Sequence, residues 1–259
     1  MPSAEGCLMK NSSSKYRIIS LAVIILLVAA WELASRSFNS RQILPGPYDT
    51  VSALLRIAGG EGFITSIGVT LVRGLTGFAL ALIAALLVGI PSGMNRSAEA
   101  AFSPVLVTLR STPVVAIILL AIIWFKVDKV PVFIGFLTMF PILAINISQG
   151  IRDTDPALIQ MARLYRVSNR RILSDIYLPT VMPFLFSGLS TAAGFGWRSV
   201  IIGEVLSQPK YGIGSMMQDA QSYLLVSEVI AWTVIAVLVS GIFELAIRQV
   251  EKNSLKWKR

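Results

Sequence analysis

Charged side chains inside apolar stretches are the residues of this sequence best suited to chemistry. Arg73, Arg110 and Arg198 are arginines of this kind, and Glu204 follows Arg198 in the same stretch. A charge inside a bilayer is costly, so such residues often serve a function. An arginine there can guide an anion across the membrane, or it can form an ion pair or hydrogen bonds that fix helix packing. We favour the second interpretation for Arg73 and Arg198, because two fixed cations would hold an anion too tightly for release.

The spacing of these residues limits how they can pair. Arg73 lies nine residues into its stretch, roughly 14 Å at 1.5 Å per residue. Arg198 and Glu204 are six residues apart, which is about 240° around a helix, so they lie on different faces and each needs another partner. Arg110 lies near the start of its stretch, at the end predicted to be cytoplasmic, where its side chain can extend to the membrane surface.

Uncharged polar residues extend this set. Ser111, Thr112 and Asn146 can line a solute pathway, and each can equally form a hydrogen bond between helices. The candidates for a translocation pathway are Arg73, Ser111, Thr112, Asn146, Trp197, Arg198 and Glu204.

Membrane-spanning helices must position these residues. Of the 259 residues, 54% are hydrophobic and 14% are charged, and the mean hydropathy is +0.71, whereas a soluble domain carries about 25% charged residues. Small residues are frequent, as in 76–81, and they allow membrane helices to pack closely. The predicted fold class is an all-α integral membrane protein with about six transmembrane helices. The stretches long enough to cross a bilayer are 18–34, 64–90, 105–125, 130–149, 181–206 and 226–247.

The composition argues against catalysis by this chain. It has no histidine and one cysteine, Cys7, which excludes histidine zinc sites, Ser-His-Asp catalysis and internal disulfides. The phosphate-binding pattern G-x-x-x-x-G-K-[ST] does not occur, and the carboxylates Glu32, Glu204 and Glu244 are scattered. We therefore predict no enzyme activity and no cofactor in this chain. The net charge is +9, and the lysines and arginines responsible for it lie between the apolar stretches rather than along one face. A nucleic-acid partner is therefore not expected.

Lysine and arginine are unevenly distributed between the connecting segments. With a cytoplasmic N-terminus, fourteen of them fall on the cytoplasmic side and six on the outer side, so the positive-inside rule predicts both termini in the cytoplasm. The predicted organisation is a cytoplasmic tail over 1–17, a single transmembrane domain over 18–247 with a cytoplasmic loop at 152–179, and a basic cytoplasmic tail over 248–259.

The loop at 152–179 begins with a helix signal. Asp155 can cap a helix whose first residue is Pro156, a position where the missing N–H of proline costs nothing. Apolar residues then follow at helical spacing on one face, namely Leu158, Met161, Ala162 and Tyr165.

A second short helix is predicted in the same loop. Ser168 can cap it, and Val167 and Ile172 occupy the two positions of a hydrophobic staple. Pro179 is expected to end it. Arg163, Arg166, Arg170 and Arg171 surround the apolar residues with positive charge.

Two interpretations of this loop remain open. Arginine-rich amphipathic helices lie on anionic lipid, and they can also dock with a cytoplasmic partner. The candidate docking residues are Leu158, Gln160, Met161, Ala162, Arg163, Tyr165, Arg166, Ser168, Arg170 and Pro179.

The segments on the predicted outer side carry further signals. Residues 44–47 read Leu-Pro-Gly-Pro, which predicts a rigid turn, and 48–58 predicts a short helix near the membrane surface. The segment 208–223 contains Tyr-Gly-Ile-Gly and no long apolar run. Flexible methionines suit a surface that repacks, so this segment is either an outer gate, a contact for a binding protein, or an ordinary surface loop. The candidate residues are Tyr211, Met216, Met217 and Gln218.

The loop resembles the cytoplasmic "EAA" loop of bacterial ABC-importer permeases, with its pattern E-A-A-x-x-x-G followed later by L-P-x-x-x-P. Here residues 160–166 read Gln-Met-Ala-Arg-Leu-Tyr-Arg, and 178–183 read Leu-Pro-Thr-Val-Met-Pro. The family's glutamate is replaced by Gln160 and its glycine by Arg166. The resemblance implies a turn at Arg166 between two coupling helices, where a side chain is unfavourable if φ is positive.

The resemblance covers most of the chain and is closest to the nitrate/sulfonate/taurine branch of these permeases. It is carried by the stretches 70–93, 109–125, 140–151 and 194–214, of which the last contains Trp-Arg followed by Glu and Gly-x-Gly. Residues 126–128 read Lys-Val-Asp where this branch has a glycine-rich turn. The outer mouth of the permease is therefore expected to differ from that of the branch.

The resemblance implies the partners and the location. Such a permease is similar to one half of a transmembrane dimer, formed here by a second copy of the chain in the bacterial inner membrane. A separate cytoplasmic ATPase would bind ATP and Mg²⁺ and grip the loop, and an extracytoplasmic binding protein would deliver a small anionic or polar organic solute for import. The alternative is a stand-alone channel or secondary transporter whose loop lies on lipid, but the internal repeat typical of secondary transporters is not found.

Overall fold

The computed structural model describes residues 5–37 and 43–254, with side chains from residue 19 onwards. These ranges are helical and contain no strand, which confirms the predicted fold class. The helices are α1 (Glu5–Ser37), α2 (Pro47–Ala58), α3 (Phe63–Met94), α4 (Arg96–Ser111), α5 (Val114–Trp124), α6 (Val130–Arg152), α7 (Pro156–Leu164), α8 (Asn169–Ile172), α9 (Leu178–Ser207), α10 (Ile213–Ser222) and α11 (Val226–Ser254).

The described residues of Met1–Gly60 and Asp219–Ala231 form one compact unit, and those of Glu61–Gln218 and Trp232–Arg259 form a second. The single transmembrane domain with two tails remains a prediction. The terminal residues of those tails, 1–4 and 255–259, lie outside the described ranges.

Five of the described helices are long and apolar enough to cross a membrane, and they confirm five of the six predicted stretches. The sixth stretch is divided, because α4 and α5 meet at a bend of 97°. The stretch 105–125 is therefore not one continuous helix, and it has the length and composition of a span only as a bent pair. Pro113 explains the break: proline has no N–H to donate, and it forces the preceding Thr112 into an extended conformation with φ −74° and ψ 131°.

Helix α6 forms the centre of the second unit, where it packs against both α3 and α9. Small residues allow this packing: a Cβ atom at Gly89 would lie 2.8 Å from the carbonyl oxygen of Ala144, and one at Gly77 would lie 3.0 Å from that of Val132. The predicted role of small residues is thereby confirmed. The buried apolar cluster that joins the three helices includes Ala81, Ala85, Met139, Leu143, Ala144, Ile147, Ala192 and Val200.

The helix that follows the loop is longer than expected. Helix α8, a π-helical turn at Leu173–Tyr177 and α9 run without a break over Asn169–Ser207. The prediction that Pro179 ends a helix is therefore wrong, since Pro179 lies in the first turn of α9. The wider π-turn directly before it makes room for the proline ring, which would otherwise press on the carbonyl of the preceding turn.

In the first unit, the end of α1 is tied to the turn that precedes α2. The indole N–H of Trp31 donates to the carbonyl oxygen of Pro45 at 3.1 Å, and the hydroxyl of Ser35 donates to that of Leu44 at 2.8 Å. Gly46 caps α2 and Pro47 begins it. The predicted turn and the predicted short helix are both confirmed.

Candidate functional site

The loop between α6 and α9 folds as two short helices joined by a tight turn. The Asp155 carboxylate accepts a hydrogen bond from the backbone N–H of Ala157 at 2.8 Å, and Pro156 begins α7, so the predicted cap is confirmed. Ser168 occupies the cap position of α8, as predicted, although its side chain makes no capping hydrogen bond.

Arg166 stands at the centre of the turn in a left-handed conformation, with φ 54°. The N–H of Val167 donates to the carbonyl of Ala162 at 2.9 Å, and the N–H of Arg166 donates to that of Arg163 at 3.0 Å. These two bonds form a Schellman motif, which normally has glycine at its left-handed position. The φ of Arg166 is therefore positive, the case in which the sequence analysis expected a side chain to be unfavourable, and the arginine adopts it at a steric cost.

The apolar side chains of the loop divide into exposed and buried ones. Leu164 is 83% exposed and Tyr165 80%, and Leu158 and Met161 are about half exposed, whereas Ala162 is only 5% exposed. We call Leu158, Met161, Leu164 and Tyr165 the loop surface. The expectation that Ala162 lies on an exposed docking face is wrong, because the chain itself covers that side of α7. Leu164 was missed because it falls outside the selected helical face.

Positive charge surrounds the loop surface. Gln160 and the arginines Arg163, Arg166, Arg170 and Arg171 are exposed. The loop thus combines exposed apolar groups with a basic border, as the sequence predicted.

Arg152 ties the beginning of the loop to three helices. Its guanidinium binds the Glu99 carboxylate of α4, the Ser148 hydroxyl at 2.8 Å on its own helix α6, and the carbonyl of Ser92 on α3 at 3.2 Å. Arg152 lies three residues before Asp155. Arg152 therefore joins the start of the loop to the ends of α3 and α4 as well as to its own helix α6.

A buried ion pair joins α3 to α9. Arg73 donates to the Glu204 carboxylate at 2.8 Å, and Thr70 donates its hydroxyl to the same carboxylate at 2.9 Å. The backbone N–H of Ile213 donates in turn to the Thr70 oxygen at 2.8 Å. We call these contacts the Arg73–Glu204 network. They match the favoured interpretation of Arg73 as part of an ion pair, and they give Glu204 a partner other than Arg198, as the helical spacing required.

The network also holds the segment that follows α9. The N–H of Gly214 donates to Glu204 at 3.0 Å, and Arg73 donates to the carbonyl of Tyr211 at 2.7 Å and to the Asp128 carboxylate at 2.8 Å. The sequence contained no signal for the role of Asp128, which was noted only as a departure from the branch pattern.

The Tyr-Gly-Ile-Gly sequence at 211–214 is explained by this close contact. Gly212 has φ 151°, and a Cβ atom there would lie 2.7 Å from the Glu204 carboxylate. A Cβ atom at Gly214 would lie 2.4 Å from the carbonyl oxygen of Ile201. Only glycine lets the backbone approach α9 to this distance.

Trp197 and Arg198, which are neighbours in α9, differ in their exposure to solvent. Trp197 is buried, with its ring against Gly74 and stacked 6.0 Å from the ring of Phe243, so its placement fits helix packing rather than a pathway. Arg198 is exposed on α9, and no hydrogen bond or ion pair is found for it in the described part of the chain.

The predicted outer-gate residues lie on or next to α10. The carbonyl of Tyr211 is held by Arg73, and its ring lies 5.1 Å from the Lys210 ammonium. Three further candidates, Met216, Met217 and Gln218, are half-buried on α10. Their role in gating or in binding another protein stays a prediction.

A cavity of about 360 Å³ lies beside the bend between α4 and α5. We call it the bend cavity. It brings together two predicted pathway residues, Thr112 and Asn146, whereas Ser111 is exposed outside its lining. The sequence Ser-Thr-Pro at 111–113 within an apolar stretch was the signal that could have located it. Its further polar lining consists of Arg110, Thr138, Thr191 and Ser199.

Comparison with known proteins places this architecture in a class. Residues 77–253 match the family described as binding-protein-dependent transport system inner membrane component. The taurine transport permease TauC of Escherichia coli K12 is 27% identical over 239 residues, which cover 90% of this chain and 86% of that protein. The putative aliphatic sulfonates permease SsuC of the same organism is 30% identical, over 89% of this chain and 88% of that protein.

The fold agrees with a solved transporter. An inward-facing structure of the MetNI methionine ABC transporter matches with a TM-score of 0.57 at 14% identity, over 70% of this chain and 92% of that chain. The class is therefore that of helical permeases of ABC importers. This chain belongs to the family of binding-protein-dependent transport system inner membrane components, and it is a multi-pass permease component of the inner membrane.

Proposed function

We propose that this chain forms the solute pathway of an ATP-driven importer and receives its energy from a separate cytoplasmic ATPase through residues 155–178. The observation that carries this proposal is the loop surface, which exposes large apolar side chains on a segment that is otherwise firmly held. A membrane-surface helix needs no strained turn at one end. A docking element benefits from such a tight turn, because the fixed angle between its two short helices lets a movement of the partner reach the membrane helices.

The chemistry of the loop surface suits a groove in a folded partner. Leu158, Met161, Leu164 and Tyr165 project from one short helix, which is the pattern of helix-in-groove recognition. The exposed arginines would contact acidic groups at the border of that groove. Arg152 would then carry the movement of the loop to α3, α4 and α6.

The remaining partners follow from the family and the charge distribution. With both termini in the cytoplasm, the segment 208–223 faces outwards and would meet the substrate-binding protein. A second copy of the chain would complete the pathway. Thr112, Asn146 and Arg198 are the residues that we propose for the pathway, while Arg73 and Glu204 fix the helices around it.

We further propose that the solute is a small organic anion of the sulfonate type. The relatives named for taurine and aliphatic sulfonates support this. Arg110 on α4 and Arg198 on α9, which have no hydrogen-bond or ion-pair partner among the described residues, would also attract an anion.

Uptake into proteoliposomes tests the function. The chain would be reconstituted with its cognate ATPase and binding protein, with labelled taurine and ethanesulfonate as probes and glycerol as a neutral control. We expect uptake of a sulfonate that requires both partners and hydrolysable ATP. Uptake by the chain alone, indifferent to ATP, would instead support the stand-alone channel or secondary transporter.

A further inference from the structure

Arg110 occupies an unusual place in the membrane-spanning part of the chain. It lies in the last turn of α4, directly before the bend, and not at the start of a span as expected from the sequence. Helix α5 has 11 residues and is therefore about 16 Å long, roughly half of the hydrocarbon thickness of a bilayer. Together the two helices are long and apolar enough to form one broken span, and we take the bend, with Arg110, to lie within it.

The hydrogen-bond donors of the bend cavity are mostly occupied. Four lining hydroxyl groups donate to backbone carbonyls of their own helices, at 2.7 to 3.0 Å, and these belong to Thr112, Thr138, Thr191 and Ser199. Asn146 uses one of its two N–H groups on the carbonyl of Ile142 at 2.8 Å. For Arg110, no hydrogen bond or ion pair occurs among the described residues, so its five N–H donors are available.

The charge of the bend cavity is positive. Its described lining contains the guanidinium of Arg110 and no carboxylate. This is the reverse of Arg73, whose charge is balanced by Glu204 and Asp128. An arginine at membrane depth without a countercharge is costly, and an oxyanion would supply both the charge and the acceptors, because guanidinium binds oxyanions through paired hydrogen bonds.

The rest of the lining suits a short carbon chain. Pro141, Ile142 and Phe195 provide apolar wall. The volume of about 360 Å³ falls at the lower end of the range for small-molecule sites, roughly 300–1,000 Å³.

We infer that Arg110 forms an intramembrane binding site for the anionic head group of the transported solute, with the free N–H of Asn146 as a second donor. The inference rests on the proposed function, in which the solute is a small organic anion. A single arginine in an open-sided cavity binds an anion and still releases it, which a pathway requires.

Equilibrium binding of labelled ethanesulfonate to the purified permease–ATPase complex, without binding protein, tests this site. Arg110→Gln should weaken binding roughly tenfold or more, the loss expected for a hydrogen-bonded charge. Arg110→Lys should retain most of the affinity because it keeps the charge. Arg96→Gln, an exposed arginine at the other end of α4, is the matched control and should bind as the wild type does.

Two further measurements keep the result decisive. Asn146→Leu should weaken binding severalfold and serves if Arg110→Gln fails to assemble, which its level in the membrane would reveal. Sulfonate uptake by the wild-type complex is measured in parallel. Wild-type uptake combined with unchanged binding in Arg110→Gln, or in Asn146→Leu if Arg110→Gln does not assemble, overturns the site and leaves the proposed function standing. Absence of sulfonate uptake in the wild type overturns the proposed substrate class and the site with it.

Discussion

Replacing one partner of the Arg73–Glu204 pair should destabilise the protein far more than replacing both. In Arg73→Met the Glu204 side chain, which is 0% exposed, keeps only its bonds from Thr70 and Gly214. Breaking a buried ion pair in this way costs about 3–5 kcal/mol, because an uncompensated charge remains. The loss of the bond to Asp128, whose side chain is 68% exposed, adds about 0–1 kcal/mol.

The double variant Arg73→Met with Glu204→Gln removes both charges. Glutamine keeps an oxygen for the bonds from Thr70 and Gly214, so we expect a cost of only about 1 kcal/mol relative to the wild type. The measurement is thermal unfolding in detergent, followed by tryptophan fluorescence. About 3 kcal/mol corresponds to a lowering of Tm by roughly 6–12 °C for a chain of this size.

A matched control is available in the other unit. Arg56 and Glu228 have the same N–O distance of 2.8 Å, but their side chains are 64% and 22% exposed. Arg56→Met should therefore cost less than about 1 kcal/mol. If Arg73→Met shifts Tm no more than Arg56→Met does, the buried pair does not fix the helices. If the double variant is stable but imports no solute, Arg73 acts on the solute and our assignment of it to packing is refuted.

Three further predictions concern single residues, each measured by thermal unfolding and by the level of the protein in the membrane. Arg166→Gly should raise the free energy of unfolding by about 0.5–1 kcal/mol, since relief of a left-handed side chain outweighs the added freedom of the unfolded glycine, and Arg166→Ala should give no such gain. Gly214→Ala should cost about 1–3 kcal/mol because its methyl group meets the carbonyl of Ile201, whereas Gly194→Ala, which has open space, should be tolerated. Ala162→Asp should lower the amount of folded protein, because it buries an unpaired charge; a normal level would show that Ala162 is accessible after all.

The sequence was sufficient where the information was local. Apolar runs fixed five spanning helices, and Asp155 with Pro156 marked the start of α7, because a cap and its helix are neighbours in the chain. The family resemblance located the turn at Arg166, and the observed φ gives the physical reason for the glycine of the family pattern. The resemblance to the permease family was confirmed by comparison.

The sequence was insufficient where tertiary contacts decide. Thr70 shares a helix face with Arg73, which was a usable signal, but nothing local tells that Glu204 and Asp128 meet Arg73 from two other segments. The bend at Pro113 had a local signal in Ser111, Thr112 and the proline itself, but the apolar residues on both sides caused 105–125 to be taken as a single stretch. The orientation of Ala162 depended on which side of α7 the chain covers, and amphipathic spacing alone does not give that.

The central claim is that the loop surface couples this chain to a separate ATPase, and co-purification from its own cells tests it most directly. Leu164→Asp places a charge on the most exposed leucine of the loop surface. Leu224→Asp is the control, a leucine that is 73% exposed in the turn after α10, where its positive φ of 58° also suits aspartate. We predict that an ATPase co-purifies with the wild type and with Leu224→Asp and is lost with Leu164→Asp at equal permease level. Retention of the ATPase by Leu164→Asp, or its absence from the wild type, would contradict the account.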